Sequence, residues 1–324
     1  MSSGVPKGPL VIHPLNLRTI IDGPRPQLDF LLPGLLRGTV GVLVGPGHVG
    51  KSWLVLQLLA SVAVGKDVWR LIGEDPRPQH VALVSAEDPG SDLPDEQGTN
   101  VLGYRLHVLA RSLNEELTQR YGVVRAAQAL IDLADRLRVF PAYGTGLCVL
   151  DEHGRPNEQG NAFFENIAAD HYSIIGVDTL RRVHRANEND NGAMAAVLGQ
   201  FERVTRLGAR PSVLLLHHIS KGSASDEQTA SRGASAITDN ARWQANLAGM
   251  SGEEAKNRGI PDDERRRWVR YVPTKINYAA NSGEVWLQRG EGGLLKRASH
   301  VPPRQTKSNA RRARRGGTMY PVPE

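Results

Sequence analysis

Cysteine is almost absent: Cys148 stands alone in 324 residues, so no disulfide can form within the chain. A reducing, cytoplasmic compartment is the expected location. One thiol and scattered histidines also leave no ligand set with the spacing of a structural zinc site. Long apolar runs are missing too. No stretch reaches eighteen apolar residues, so no membrane-spanning helix and no membrane partner are predicted. The opening residues, Met1 to Lys7, hold no continuous apolar segment, and no secretory leader is expected there. No internal repeat occurs.

Charge of one sign is lacking over most of the chain. The net charge is +6, yet residues 296–324 hold eight Lys or Arg against Glu324 alone, a local +7. The remainder is therefore close to −1, and any nucleic-acid contact in the folded body must come from local loops. The tail, assigned as 299–324, is rich in Arg, Lys, Pro, Ser and Gly and reads as disordered. Such a tail either binds nucleic acid without sequence preference or merely solvates the chain end, and composition allows both. The proline-punctuated start, assigned as 1–29 and partly disordered, reads as an arm on the edge of a core domain over 30–298.

What is present is organised around residues 40–52. Val40-Gly41-Val42-Leu43-Val44 is an apolar run that ends in Gly45-Pro46-Gly47-His48-Val49-Gly50-Lys51-Ser52, and an apolar-patterned helix starting at Trp53 follows at once. Strand, glycine-rich loop and helix in that order match the phosphate-binding P-loop. Glycines let the backbone curl until successive N–H groups point at an anion, and the helix N-terminus adds its positive end. Lys51 should reach the β- and γ-phosphates of ATP, and Ser52 should offer its hydroxyl to Mg²⁺.

Further apolar runs alternate with helical patterns. Strands are predicted at 80–85, 137–140, 173–178 and 211–216, with helices at 101–113, 115–138, 163–170 and 194–207. From Arg265 the pattern changes to short alternating segments that suit antiparallel strands. The predicted fold is therefore α/β, a mainly parallel twisted sheet flanked by helices, with a small antiparallel C-terminal part. Residues 148–154 read as a small hairpin.

Nucleotide hydrolysis also needs a carboxylate on the metal shell, a group that positions water, a γ-phosphate sensor and often a cation from a neighbour. Two strand ends compete for the metal carboxylate: Asp151-Glu152 and Asp178. The first is hemmed by turn residues, whereas Asp178 closes a run lying between two helical patterns, as a central parallel strand should, and is favoured. No glutamate follows Asp178, so Glu87, in Ala86-Glu87-Asp88-Pro89, is the candidate base. His217-His218 caps another apolar run, and His218 is the candidate sensor. Arg232 and Arg242 are candidate cations for a neighbouring site, with Lys275 a weaker third. The loops 181–191 and 220–232 could grip a strand through Arg182, Arg185 and Lys221; solvated loops fit them equally.

These motifs together resemble the RepA-type hexameric replicative helicases of broad-host-range plasmids, within the RecA/DnaB-like ATPases. The matching segments are GPGHVGKS at 45–52, AEDP at 86–89, VDTLRR at 177–182, LHHISKG at 216–222, ASRG at 230–233, DNARW at 239–243 and KINY at 275–278. The resemblance implies a RecA-like P-loop core, ATP with Mg²⁺, a homo-hexameric ring and movement on single-stranded DNA in replication. It implies Glu87 as base, Asp178 and Ser52 on the metal, His218 as sensor and Arg242 as a finger from the next subunit. In that arrangement the strand carrying Glu87 is expected beside the P-loop strand. Residues 144–160 look inserted and the basic tail is additional. A replication initiator or primase is a further expected partner. The rival reading is an ATP-switched DNA-binding regulatory or partition-type protein without unwinding activity; a small-molecule kinase is disfavoured.

Overall fold

Buried runs of Val, Leu and Ile that end in small or polar residues form a central sheet, and amphipathic helices cover both of its faces. The computed structural model describes residues 13–92, 97–219, 235–278 and 283–304. In chain order, α1 (Leu17–Asp22) precedes a short hairpin of β1 (Phe30–Leu32) and β2 (Leu35–Leu36). Next come β3 (Val40–Gly45), α2 (Lys51–Val64), β4 (Val81–Ser85), α3 (Val101–Tyr121), α4 (Val123–Arg136) and β5 (Leu137–Pro141). The second half holds α5 (Glu158–Ala169), β6 (Ile174–Asp178), α6 (Asn191–Val204), β7 (Ser212–His218), α7 (Ser235–Asn240), β8 (Trp243–Gly249) and α8 (Gly252–Arg258). Last are β9 (Trp268–Ile276), β10 (Val285–Arg289) and β11 (Leu295–Arg297).

The strands β3 to β11 make one sheet in the order β11-β10-β9-β8-β3-β7-β6-β4-β5. From β8 to β5 every neighbouring pair is parallel, while β9, β10 and β11 join antiparallel beyond β8. This is the predicted α/β arrangement with an antiparallel C-terminal part. One expectation is overturned. β4 does not lie beside β3, because β7 and β6 stand between them. The crossover through α2 skips two positions, and later parallel strands fill the gap, so the strand carrying Glu87 approaches the P-loop only past the sheet's end.

Side chains alternate across this sheet as the pleat requires. Leu43, Leu214 and Leu216 face a core shared with α2, α3 and α4, whereas Val42, Val44, Val213 and Leu215 face α6 and α7. Gly176 is needed where α2 crosses β6: a Cβ there would stand 3.2 Å from both Val55 and Leu59. The antiparallel part is fastened to α2 by the buried Gln57. Its side-chain amide donates to the Leu295 carbonyl and accepts from the Leu295 N–H, both at 2.8 Å, as a backbone strand would.

At the chain's start, α1 buries no residue, and Leu17, Ile20 and Ile21 are exposed. The β1–β2 hairpin is different: Leu31, Leu32 and Leu35 are core residues, and Trp243 Nε1 donates to the Pro33 carbonyl at 3.0 Å. The hairpin expected at 148–154 shrinks to a turn in which Leu150 makes only isolated bridges, to Pro156 and His184. Asp151 is the reason, since its carboxylate turns back to accept the N–H groups of His153 and Arg155 at 2.9 and 2.8 Å. Among the described residues no helix is long and apolar enough to cross a membrane.

Candidate nucleotide-binding active site

The carboxyl ends of the parallel strands are where such sheets bind ligands, because their loops diverge there. Register places four residues on that edge. Gly45 of β3 pairs with His218 of β7, and Ser85 of β4 pairs with Asp178 of β6. The loop after Gly45 then takes left-handed backbone at His48 (φ 63°) and Gly50 (φ 105°) before α2 begins at Lys51. No side chain caps that helix, so the N–H groups of its first turn are available to an anion.

Lys51 is buried and its ammonium donates to the carbonyls of Gly45 and Pro46 at 2.8 and 2.9 Å. Burial pulls its pKa down to about 8, against the opposing pull of Asp178 and Glu87. The same nitrogen lies 3.2 Å from His218 Nδ1. On the other side of the ring, His218 Nε2 lies 3.1 Å from one Glu87 oxygen and 3.3 Å from the other. With the proton on Nε2, His218 accepts from Lys51 and donates to Glu87, a continuous polar chain from the phosphate loop to the carboxylate. That bond from His218 is the main cause holding Glu87 below the usual carboxylate range.

Asp178 is buried at the end of β6, and one of its oxygens, Oδ1, has no hydrogen-bond partner. Burial raises its pKa to about 6, offset in part by the hydrogen bond from Ser52. An orphaned carboxylate oxygen beside a serine hydroxyl is a costly arrangement for an apolar pocket, but it suits a hard divalent cation that prefers oxygen ligands. Asp88, next to Glu87, bonds the Arg105 guanidinium and has its pKa raised by burial. Arg105 also lies over the Trp53 ring, 5.8 Å from its centroid, and Trp53 itself is buried against Gly293.

The structure thus brings Lys51, Ser52, Glu87, Asp178 and His218 together. Arg242 is elsewhere. Its N–H donates to the Val40 carbonyl at 3.1 Å, at the opposite end of β3 from Gly45. Five strand steps separate those ends, roughly 17 Å, which is beyond the reach of an arginine side chain. Lys275 lies at the same far edge, donating to the Asp239 carbonyl at 2.9 Å. Arg182 and Arg185 are exposed in the loop after β6. Arg232 and Lys221, like the tail beyond Arg304, lie outside the described residues.

Three features escape sequence reasoning. Arg289 of β10 donates through Nη2 to the carbonyls of His48 and Val49; 241 and 240 residues separate these partners, and no local pattern links them. Arg105 sits in an ordinary amphipathic helix and shows no signal of its bond to Asp88. His184 is buried, 3.7 Å from Glu188, in a loop that reads as polar and exposed.

The two buried histidines give a pH prediction. Burial pushes both His217 and His184 down to about 4. In the unfolded chain they bind protons more readily, so the stability they contribute is full above about pH 6.5 and lost as pH falls toward 4. Asp178 works oppositely between about 3.8 and 6, where its native form holds the extra proton. Two imidazoles outweigh one carboxyl. The Tm of the nucleotide-free protein is therefore expected to fall between about pH 7 and 4.5, by the equivalent of roughly 1–3 kcal/mol. His217→Asn should flatten that slope in thermal melts; an unchanged slope would refute the assignment.

A family model described as an AAA domain matches residues 9–224, more than half of the chain. The chain belongs to that family. Among solved structures it is similar to the ATPase domain of a helicase, with a TM-score of 0.52 and 12% identity over 81% of this chain and 86% of that one. At that identity the likeness is one of fold, and the shared fold is the RecA-like P-loop architecture.

Proposed function

We propose that the protein is a ring-forming, ATP-driven helicase or translocase on single-stranded DNA, of the plasmid RepA type. The observation that carries this reading is the polar chain Lys51–His218–Glu87, in which a phosphate-loop lysine, a sensor and a base meet beside a buried Asp178. Lys51 holds the triphosphate, and the loop's N–H groups surround it. Ser52 and Asp178 hold Mg²⁺, which neutralises charge developing on the phosphates. Glu87, kept ionised by His218, accepts a proton from the attacking water. His218 touches both lysine and base, so loss of the γ-phosphate alters its bonds and the course of the segment after β7. Arg242, too far from its own loop, serves the next subunit.

In this reading the exposed Arg182 and Arg185 contact DNA phosphates, the protein works in the cytoplasm as a hexamer, and a replication initiator or primase loads or accompanies it. The deciding experiment pairs mass measurement with duplex unwinding. With a non-hydrolysed ATP analogue, hexamers are expected; with ATP, duplex unwinding is expected, together with DNA affinity that falls steeply with salt. ATP-dependent DNA binding by saturating protein without any unwinding would assign the regulatory alternative instead.

A further inference from the structure

The phosphate loop has an outer side that its own sequence does not support. For the N–H groups of residues 49–52 to point inward, the carbonyls of His48 and Val49 must point outward. On that side the loop faces a cavity of about 1010 Å³, whose walls include Pro46 to Val49 and Ala248 to Ser251. Packing there is thin, and left-handed backbone at His48 and Gly50 leaves the loop without the restraint of a regular helix.

Arg289 occupies the boundary. Its Nη2 donates to the His48 carbonyl at 3.0 Å and to the Val49 carbonyl at 2.5 Å. Its Nη1 lies so close to Gly50 that a Cβ added there would stand 3.2 Å away. The residue is carried by β10, which pairs with β9 and β11, and β11 is fixed to α2 through Gln57 and Leu295. The guanidinium is therefore held on a rigid element tied to the same helix that begins at Lys51. A planar cation bonded to outward carbonyls fixes the peptide planes and strengthens the opposing N–H dipoles toward an anion.

We propose that Arg289 is a positioning residue for the bound triphosphate, acting through the carbonyls of His48 and Val49 to keep the loop's N–H groups turned inward. The inference rests on the reading of this loop as a nucleotide site. Its effect belongs to phosphate binding as such, so it is felt in ground state and transition state alike, and ADP depends on it as ATP does.

The test uses the full chain with ADP and a non-hydrolysed ATP analogue, titrated into wild type, Arg289→Met, Arg289→Lys and Lys51→Ala. Arg289→Met is expected to weaken both nucleotides by about 10- to 100-fold, as loss of charge-assisted hydrogen bonds predicts. Turnover at saturating ATP should stay within about twofold, so the change appears in KM. Arg289→Lys keeps the charge but loses the planar fork, and should fall between the two. Should Arg289→Met fail to fold, the lysine variant decides alone: nucleotide affinity equal to wild type would overturn the assignment. Affinities for Arg289→Met within about twofold of wild type, with Lys51→Ala defective, would overturn it too. Failure of wild type to bind either nucleotide is a separate result, which removes the nucleotide site and this role together.

Discussion

Glu87→Gln should lower saturating ATP turnover by about 10²- to 10⁴-fold while leaving ATP affinity within a few-fold of wild type. The split follows from where Glu87 stands. It meets His218, which in turn meets Lys51, so its link to the phosphate loop runs through the histidine. Glutamine keeps an oxygen that accepts from His218 Nε2, so the sensor retains its position and the fold is undisturbed. What disappears is the carboxylate that takes the water's proton. Its low pKa, caused first by the bond from His218, keeps that group ionised across the working pH range. Lys51→Ala should behave differently, losing nucleotide binding itself, because a buried ammonium beside the Gly45 and Pro46 carbonyls has no substitute nearby. Steady-state ATPase assays with equilibrium binding on both variants check the pair. Glu87→Gln turnover within about threefold of wild type would remove Glu87 from the chemistry.

Much of this site is legible in the chain because its parts sit at strand ends. An apolar run that stops abruptly at Gly45, Ser85, Asp178 or His218 tells which side chains emerge at the sheet's carboxyl edge, since parallel strands deliver all their ends to one side. Sequence order does not tell which strands are neighbours. The run at 81–85 follows α2 directly, yet it lies three positions from β3, because strand order depends on packing of the whole sheet. Glu87 still reaches His218, since it lies two residues beyond the end of its strand and past β6. Asp151 illustrates the converse. Its apolar approach imitates a strand, but the carboxylate satisfies its own turn, and only backbone geometry reveals that. Arg289 and Gln57 leave no trace at all, for their partners are chosen by the antiparallel extension folding back on α2.

The far-edge position of Arg242 leads to the other large effect. A residue at the start of β8, roughly 17 Å along the sheet from the phosphate loop, cannot stabilise charge in its own pocket. Lys275 shares that edge, so two cations are presented there on adjacent antiparallel strands. If that edge docks against the nucleotide face of the next copy, Arg242→Ala should cut turnover by about 10³-fold, the scale of a trans arginine finger. ATP binding should survive, since Lys51 and the loop are intact. Mixing provides a sharper criterion than loss alone. Arg242→Ala supplies complete phosphate loops, and Lys51→Ala supplies complete fingers, so combining the two inactive proteins should restore part of the activity at interfaces pairing one with the other. A local structural defect would leave the mixture as inactive as its components. Arg242→Ala with wild-type turnover would leave this residue without a catalytic role and would move the search for a trans cation to Lys275.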